Sequence, residues 1–206
     1  MWMEVVSKIG CVNFTDDKDL EALQDLVNYA TDVYAHHNRD ESEWFGVRLR
    51  ALDEGLAHRW LRDHDEHLQV LTEFRERLQE IRRRPVDERC SMISDYYDYA
   101  CSFLKNDLEH MWMEQGEIMA VFHAKYTDDE LRELEAQFIR ERIDPAYMQR
   151  LAPLFLRASN IEDRTFSLSI MKEQAPPEAF RGMLEDLAAK IIPAAELGVI
   201  KQRIGV

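Results

Sequence analysis

The sequence predicts an all-α protein, and three observations carry that expectation. Glycine is scarce, with 7 in 206 residues, and the few prolines stand at break points rather than inside patterned stretches. No segment alternates apolar and polar residues for long, as a half-buried strand would. Apolar residues recur instead at steps of three and four, which places them on one face of a helix. The expected architecture is an up-down helical bundle followed by a C-terminal extension of short helices.

Taken in order, residues 1–15 read as an irregular or short N-terminal segment, with Gly10 and Asn13 as breakers. Thr15-Asp16-Asp17 offers an N-cap for a helix reaching about Arg50. A second helix carries Leu56, Trp60, His64, His67, Leu71, Phe74 and Leu78, a bundle seam with two histidines at its middle. Pro85 ends that unit. A third long helix is expected from Asp87 to Lys125. Thr127-Asp128-Asp129-Glu130 has the form of a capping box, which opens a further helix. Pro145, Asn160, Pro176-Pro177 and Pro193 then punctuate short helices to the end. The expected organisation is therefore a segment at 1–15, a bundle over 16–125 and a helical extension over 126–206.

A formal charge of −14 argues against nucleic acid, whose phosphates are met by clustered Lys and Arg. The one basic run, Arg82-Arg83-Arg84 before Pro85, reads as cations at the negative pole of a helix end. Cys11, Cys90 and Cys101 form no CxxC pair and are odd in number. A disulfide framework is not expected, and the thiols are expected buried in a reducing, cytoplasmic setting. No apolar run approaches the roughly 18 residues of a membrane span, so no membrane partner is expected.

The most informative feature is the placement of histidine. Six of the seven histidines lie between positions 36 and 110, and several have a carboxylate one helical turn away. His36 with Asp40, His37 with Glu41, and His110 with Glu114 can each present an imidazole and a carboxylate to one point. His64 and His67 share the seam of one helix, where unpaired polar groups are costly. Nitrogen and oxygen donors in that mixture suit iron, manganese or zinc. The segments His36-His37-x-x-Asp40-Glu41-x-x-Trp44 and His110-Met111-x-x-Glu114-Gln115-x-x-Ile118 also repeat one pattern on two helices. Aligning the repeats favours His36 and Asp40 as the first pair. A helical wheel of Leu23, Val27, Ala30, Tyr34 and Phe45 puts His37 and Glu41 nearest the core instead.

The stretch Leu23 to Leu49, with its Tyr-x-His-His-x-x-Asp-Glu-x-x-Trp-Phe core, resembles the first half of a hemerythrin-like HHE cation-binding domain. Asp63-His64-Asp65-Glu66-His67-Leu68 resembles the histidine helix opening its second half, and Phe103 to Met119 resembles the closing HxxxE helix. The resemblance implies a four-helix bundle with a non-haem di-iron centre that binds O₂ or NO, senses iron or redox state, or reduces peroxide. The implied metal ligands are drawn from His36, His37, Asp40, Glu41, His64, His67, His110 and Glu114. Two departures stand out. Members carry a first histidine on an opening helix, and residues 1–35 contain none. Asp40 stands where the repeat expects Glu, and Asp107 where many members have another His.

The leading expectation is an iron-binding protein with O₂ or NO as a small ligand, any catalysis belonging to the metal. Tyr34 and Tyr99 are candidates to orient its ligands. The alternative is a metal-free, three-helix remnant whose exposed apolar groove is filled by a homodimer or another partner. A ferritin-like carboxylate site ranks last, because its Glu-x-x-His signature has only Asp107-Leu108-Glu109-His110 as an approximation.

Overall fold

A computed structural model describes the backbone of residues 1–142 and 145–206, and the side chains of all of these but 145, 146 and 174. The described residues are helical with no strand, so the chain is all-α. It divides into two compact units, Met1–Arg142 and Ile143–Val206.

In the first unit α1 (Trp2–Cys11), α2 (Asp17–Leu52), α3 (Glu54–Arg83) and α4 (Val86–Met113) pack in a ring. α1 lies on α2 and α4, and α3 closes the ring between the same two helices. The open groove of a three-helix remnant is therefore not what forms, since α1 fills part of the fourth corner. Ten residues are too few for a stable isolated helix, and α1 is held by the face it buries. Trp2, Val5, Val6 and Ile9 all point inward. The Trp2 ring lies 5.0 Å from Phe74 and 4.8 Å from Phe103, centroid to centroid.

Two very short connections fix the antiparallel order of the long helices. Asp53 alone joins α2 to α3: its N–H donates to Leu49 O, and its carboxylate accepts from Leu56 N at 2.9 Å. Between α3 and α4 the buried Arg89 guanidinium donates to the carbonyls of Arg82 and Arg84. It also donates to Phe14 O and to the Asp17 carboxylate. One side chain thus caps the end of α3 and ties it to the start of α2, satisfying carbonyls that the helix itself leaves open. The α3 seam is buried along its whole length, with His64 and His67 as deep as its leucines.

Helix α4 is prolonged by a π-helical turn, Glu114–Ile118, and by α5 (Met119–Lys125). The capping box forms as its residues suggest. Thr127 N donates to the Glu130 carboxylate at 2.8 Å, and Glu130 N donates to Thr127 Oγ1 at 3.3 Å. It opens α6 (Asp128–Arg142), whose Phe138 ring lies 5.2 Å from Phe45. Leu131 packs on a cluster of Leu49, Leu56, Trp60, Ile118 and Phe122. Those contacts keep α6 with the bundle, so the division of the chain falls one helix beyond residue 125.

The second unit contains α7 (Pro145–Ala158), α8 (Ile161–Gln174) and α9 (Pro177–Gly182). A second π-helical turn, Met183–Ala188, then leads to α10 (Ala189–Ile191) and α11 (Ala194–Ile204). Its core gathers Leu156, Leu168, Phe180, Leu184, Ile192 and Ile200. Asn160 caps α8 by accepting from Glu162 N and Asp163 N. Gly205, at φ 73°, ends α11 in the left-handed region that glycine enters without strain.

The thiols are not buried as expected: Cys11 and Cys90 are exposed and Cys101 is half-buried. Cys11 and Cys90 sit off the apolar stripes of their helices, whereas Cys101 packs at the edge of the core. Among the described residues, no helix is long and apolar enough to cross a membrane.

Candidate metal centre

Three helices and the π turn meet where the seam turns polar. α2 contributes His37, Glu41 and Ser42, α3 contributes Trp60, Asp63, His64 and His67, and α4 contributes Asp107 and His110. Glu114 is the first residue of the π turn, a widened helical turn often found at functional sites. The Nε2 atoms of His64 and His110 lie 3.1 Å apart. Glu114 Oε1 is 3.0 Å from His110 Nε2 and 3.8 Å from His64 Nε2. Glu41 Oε2 approaches His64 Nε2 at 3.6 Å and His37 Nε2 at 3.3 Å.

These separations are those of donors gathered around one point. Ligands about 2.1 Å from a shared cation stand roughly 3.0–3.5 Å from one another at adjacent positions. The three shortest contacts fall in that range and the longer two, at 3.6 and 3.8 Å, lie just beyond it. Glu41 Oε2 and His110 Nδ1 are also buried without a hydrogen bond at normal geometry. A buried carboxylate oxygen left in that condition is costly unless a proton or a cation satisfies it.

The surrounding groups orient the rings. Ser42 Oγ lies 2.8 Å from His64 Nδ1; accepting its N–H there leaves Nε2 bare and aimed at the cluster. Asp63 stands 3.7 Å from His110 Nδ1 on the outer side of that ring. Trp60 Nε1 donates to Glu114 Oε1 at 2.8 Å. The Tyr34 hydroxyl donates to Asp107 and lies 3.1 Å from His67 Nδ1, whose N–H it can accept. Outer partners of this kind fix the tautomer and direction of metal-binding imidazoles.

The electrostatics follow from crowding these groups together. Burial, and then the neighbouring Glu114 charge, push the Glu41 carboxyl up to about 9. Burial also works against the Glu114 carboxylate, yet His110, His64 and Trp60 outweigh it and hold that group well below the usual range. Without a cation the two acids therefore share one proton, resident on Glu41. Burial pulls His67 down to about 4, helped by the charges of His110 and His64. His110 moves upward, because its carboxylate partners overcome burial. A cation entering the cluster would displace protons from Glu41 and His110, which would make its binding steeper with pH.

Of the eight sequence-derived candidates, His64, His110 and Glu114 form the tightest group, with Glu41 beside them. His37 reaches that group through Glu41, its side chain half in solvent. His67 is buried against the His110 ring at 4.9 Å but turns Nδ1 to Tyr34. His36 and Asp40 are engaged elsewhere. His36 Nδ1 lies 2.8 Å from Asp40 Oδ2, and the Arg142 guanidinium donates two hydrogen bonds to Asp40 Oδ1. Tyr99 is likewise remote in its bonding, donating to the exposed Glu73 at 3.0 Å. Ser42, Asp63 and Arg142 escape sequence reasoning. Ser42 and Arg142 act across helices, so no periodicity announces them, whereas Asp63 immediately precedes His64. No protein-family model, curated protein or solved structure matched this chain in comparisons of sequence and fold.

Proposed function

We propose that the first unit binds a transition-metal ion, iron by the donor set and by the hemerythrin-like resemblance of its motifs. The residues assigned are His64, His110 and Glu114, with Glu41 as the further carboxylate and His37 at the edge. What carries the reading is the convergence of both HxxxE carboxylates, Glu41 and Glu114, on the facing Nε2 atoms of His64 and His110. Two imidazoles with two carboxylates favour iron, manganese or zinc over softer or purely oxygen-seeking ions. The residues fit one ion more closely than two. His67 and Asp107, which would extend the set, are bonded through Tyr34.

Four protein donors leave room in an octahedral shell, and an open position is what an exogenous ligand requires. Reversible binding of O₂ or NO, or a redox-sensing role, is the function assigned to such a position. The chain's own residues would hold the ion, keep His64 and His110 oriented, and supply Glu41 as a carboxyl whose proton the ion replaces.

Elemental analysis of aerobically purified full-length protein tests this reading. About one equivalent of iron per chain is expected, lost in the His110→Ala, Glu114→Ala double variant and in Glu41→Gln. Asp40→Asn should retain the metal, since Asp40 serves Arg142. Less than about half an equivalent of any metal, unchanged by the double variant, would overturn the proposal. It would then favour a bundle that works by association.

A further inference from the structure

A cleft of about 700 Å³ is lined in part by Glu41 and Glu114. Its walls are Phe45 of α2, Trp60 of α3, Ile118 of the π turn, Phe122 of α5, and Leu134 and Phe138 of α6. A diatomic ligand fills only a small part of such a space, since one water takes roughly 30 Å³. Volumes of this order instead suit organic molecules built from one or a few rings, with apolar walls and a few polar groups at one end.

The polar groups decide which head such a molecule carries. The lining includes the half-buried Glu41 and Glu114 at its inner part and the exposed Asp128 and Glu135 at its mouth. Arg132, the one guanidinium at the mouth, is engaged by Asp129 at 2.6 Å. An anionic head meets like charge at both ends. An ammonium head would leave water for a Glu114 carboxylate whose Oε1 is already bonded by Trp60 and His110, which restores little of its lost hydration. A hydroxyl avoids both penalties, donating to a carboxylate oxygen without bringing a net charge between aromatic walls.

We propose that this cleft binds a neutral, hydroxyl-bearing aromatic molecule, its hydroxyl directed at Glu41 and Glu114 and its rings between Phe45, Phe122 and Phe138. The site goes beyond the proposed metal function: it shares Glu41 and Glu114 with that centre, but its aromatic walls and hydrogen-bond acceptors are present in the metal-free protein.

The test is calorimetric titration of the full-length chain in chelator at neutral pH with 2-naphthol as the probe. Naphthalene, 2-naphthoate and 2-naphthylmethylammonium serve as comparators. Binding of 2-naphthol in the micromolar range, roughly tenfold or more tighter than each comparator, is expected. Leu134→Trp, which fills the cleft from α6, should weaken it by about tenfold or more at an unchanged melting temperature. Met119→Trp, from an exposed position lining the same cleft, gives the same result should Leu134→Trp fail to fold. Absence of 2-naphthol binding, binding indifferent to the filled variant, or equal or tighter binding of any comparator would overturn the proposal. Metal content is read separately on untreated protein, so either proposal can fail without the other.

Discussion

The Nε2 atoms of His64 and His110 face each other across 3.1 Å, from helices whose residues lie 46 positions apart in the chain. Only one of two facing nitrogens can hold the intervening proton. His110 also has Glu114 at 3.0 Å, which makes it the protonated partner, while Ser42 fixes His64 in the opposite tautomer. The pair is thus held with one bare nitrogen and one exchangeable proton.

Ser42→Ala should loosen the centre without dismantling the bundle. Removing the oxygen that holds His64 Nδ1 frees the ring to choose its tautomer, and loss of such outer partners costs about 10–100-fold in metal affinity. The metal-free protein should lose only about 1 kcal/mol of stability, one hydrogen bond's worth. Ser42→Thr keeps the hydroxyl and should restore affinity. Competition against a chromophoric chelator measures all three proteins, and equal affinities would remove Ser42 from the site.

Glu41→Gln should stabilise the metal-free protein at alkaline pH. The folded pKa of Glu41, about 9, lies above its ordinary 4.5, so the folded state retains a proton that the unfolded chain has released. Stability from this group is fully present below 4.5 and is lost as pH rises to about 9. Gln cannot ionise and escapes that loss. Thermal melts in chelator should show the variant ahead by several kcal/mol near the upper end of that window, the gap closing toward acid. A constant difference across the window would place the effect elsewhere. Under the proposed function the same variant should lose the metal, a trade of stability against function.

Trp2→Ala should cost about 3–5 kcal/mol in chemical denaturation, the range for deleting a large buried aromatic side chain. Trp2 is 4% exposed and touches Tyr34, Phe74 and Phe103. A cost under about 1 kcal/mol would mean that α1 is an appendage, not part of the core.

Much of this molecule is written locally. The step pattern of α3 names Leu56, Trp60, His64, His67, Leu71, Phe74 and Leu78, and all of them are buried. The Thr127–Glu130 box forms because its four residues carry both donors and both acceptors. Short-range geometry of this kind repeats wherever the residues recur. The role of α1 was less legible. Ten residues with a modest apolar face read equally as a loose segment, and only the presence of Phe74 and Phe103 at the vacant corner makes burying Trp2 worthwhile.

Sequence alone determined the all-α class, the long helices and the set of histidines and carboxylates from which a centre could be drawn, because each depends on spacing along one helix. It left His36 with Asp40 and His37 with Glu41 as equal choices, since consecutive residues differ by only about 100° around a helix. The tertiary structure places only the second pair beside the His64–His110 cluster. The rotation of α2 is set by contacts with other helices, and Arg142, 102 residues away, claims Asp40 while Glu41 turns toward His64 and Glu114. The cleft above those carboxyls is likewise a product of assembly, formed only when α6 folds back across α2, α3 and α5.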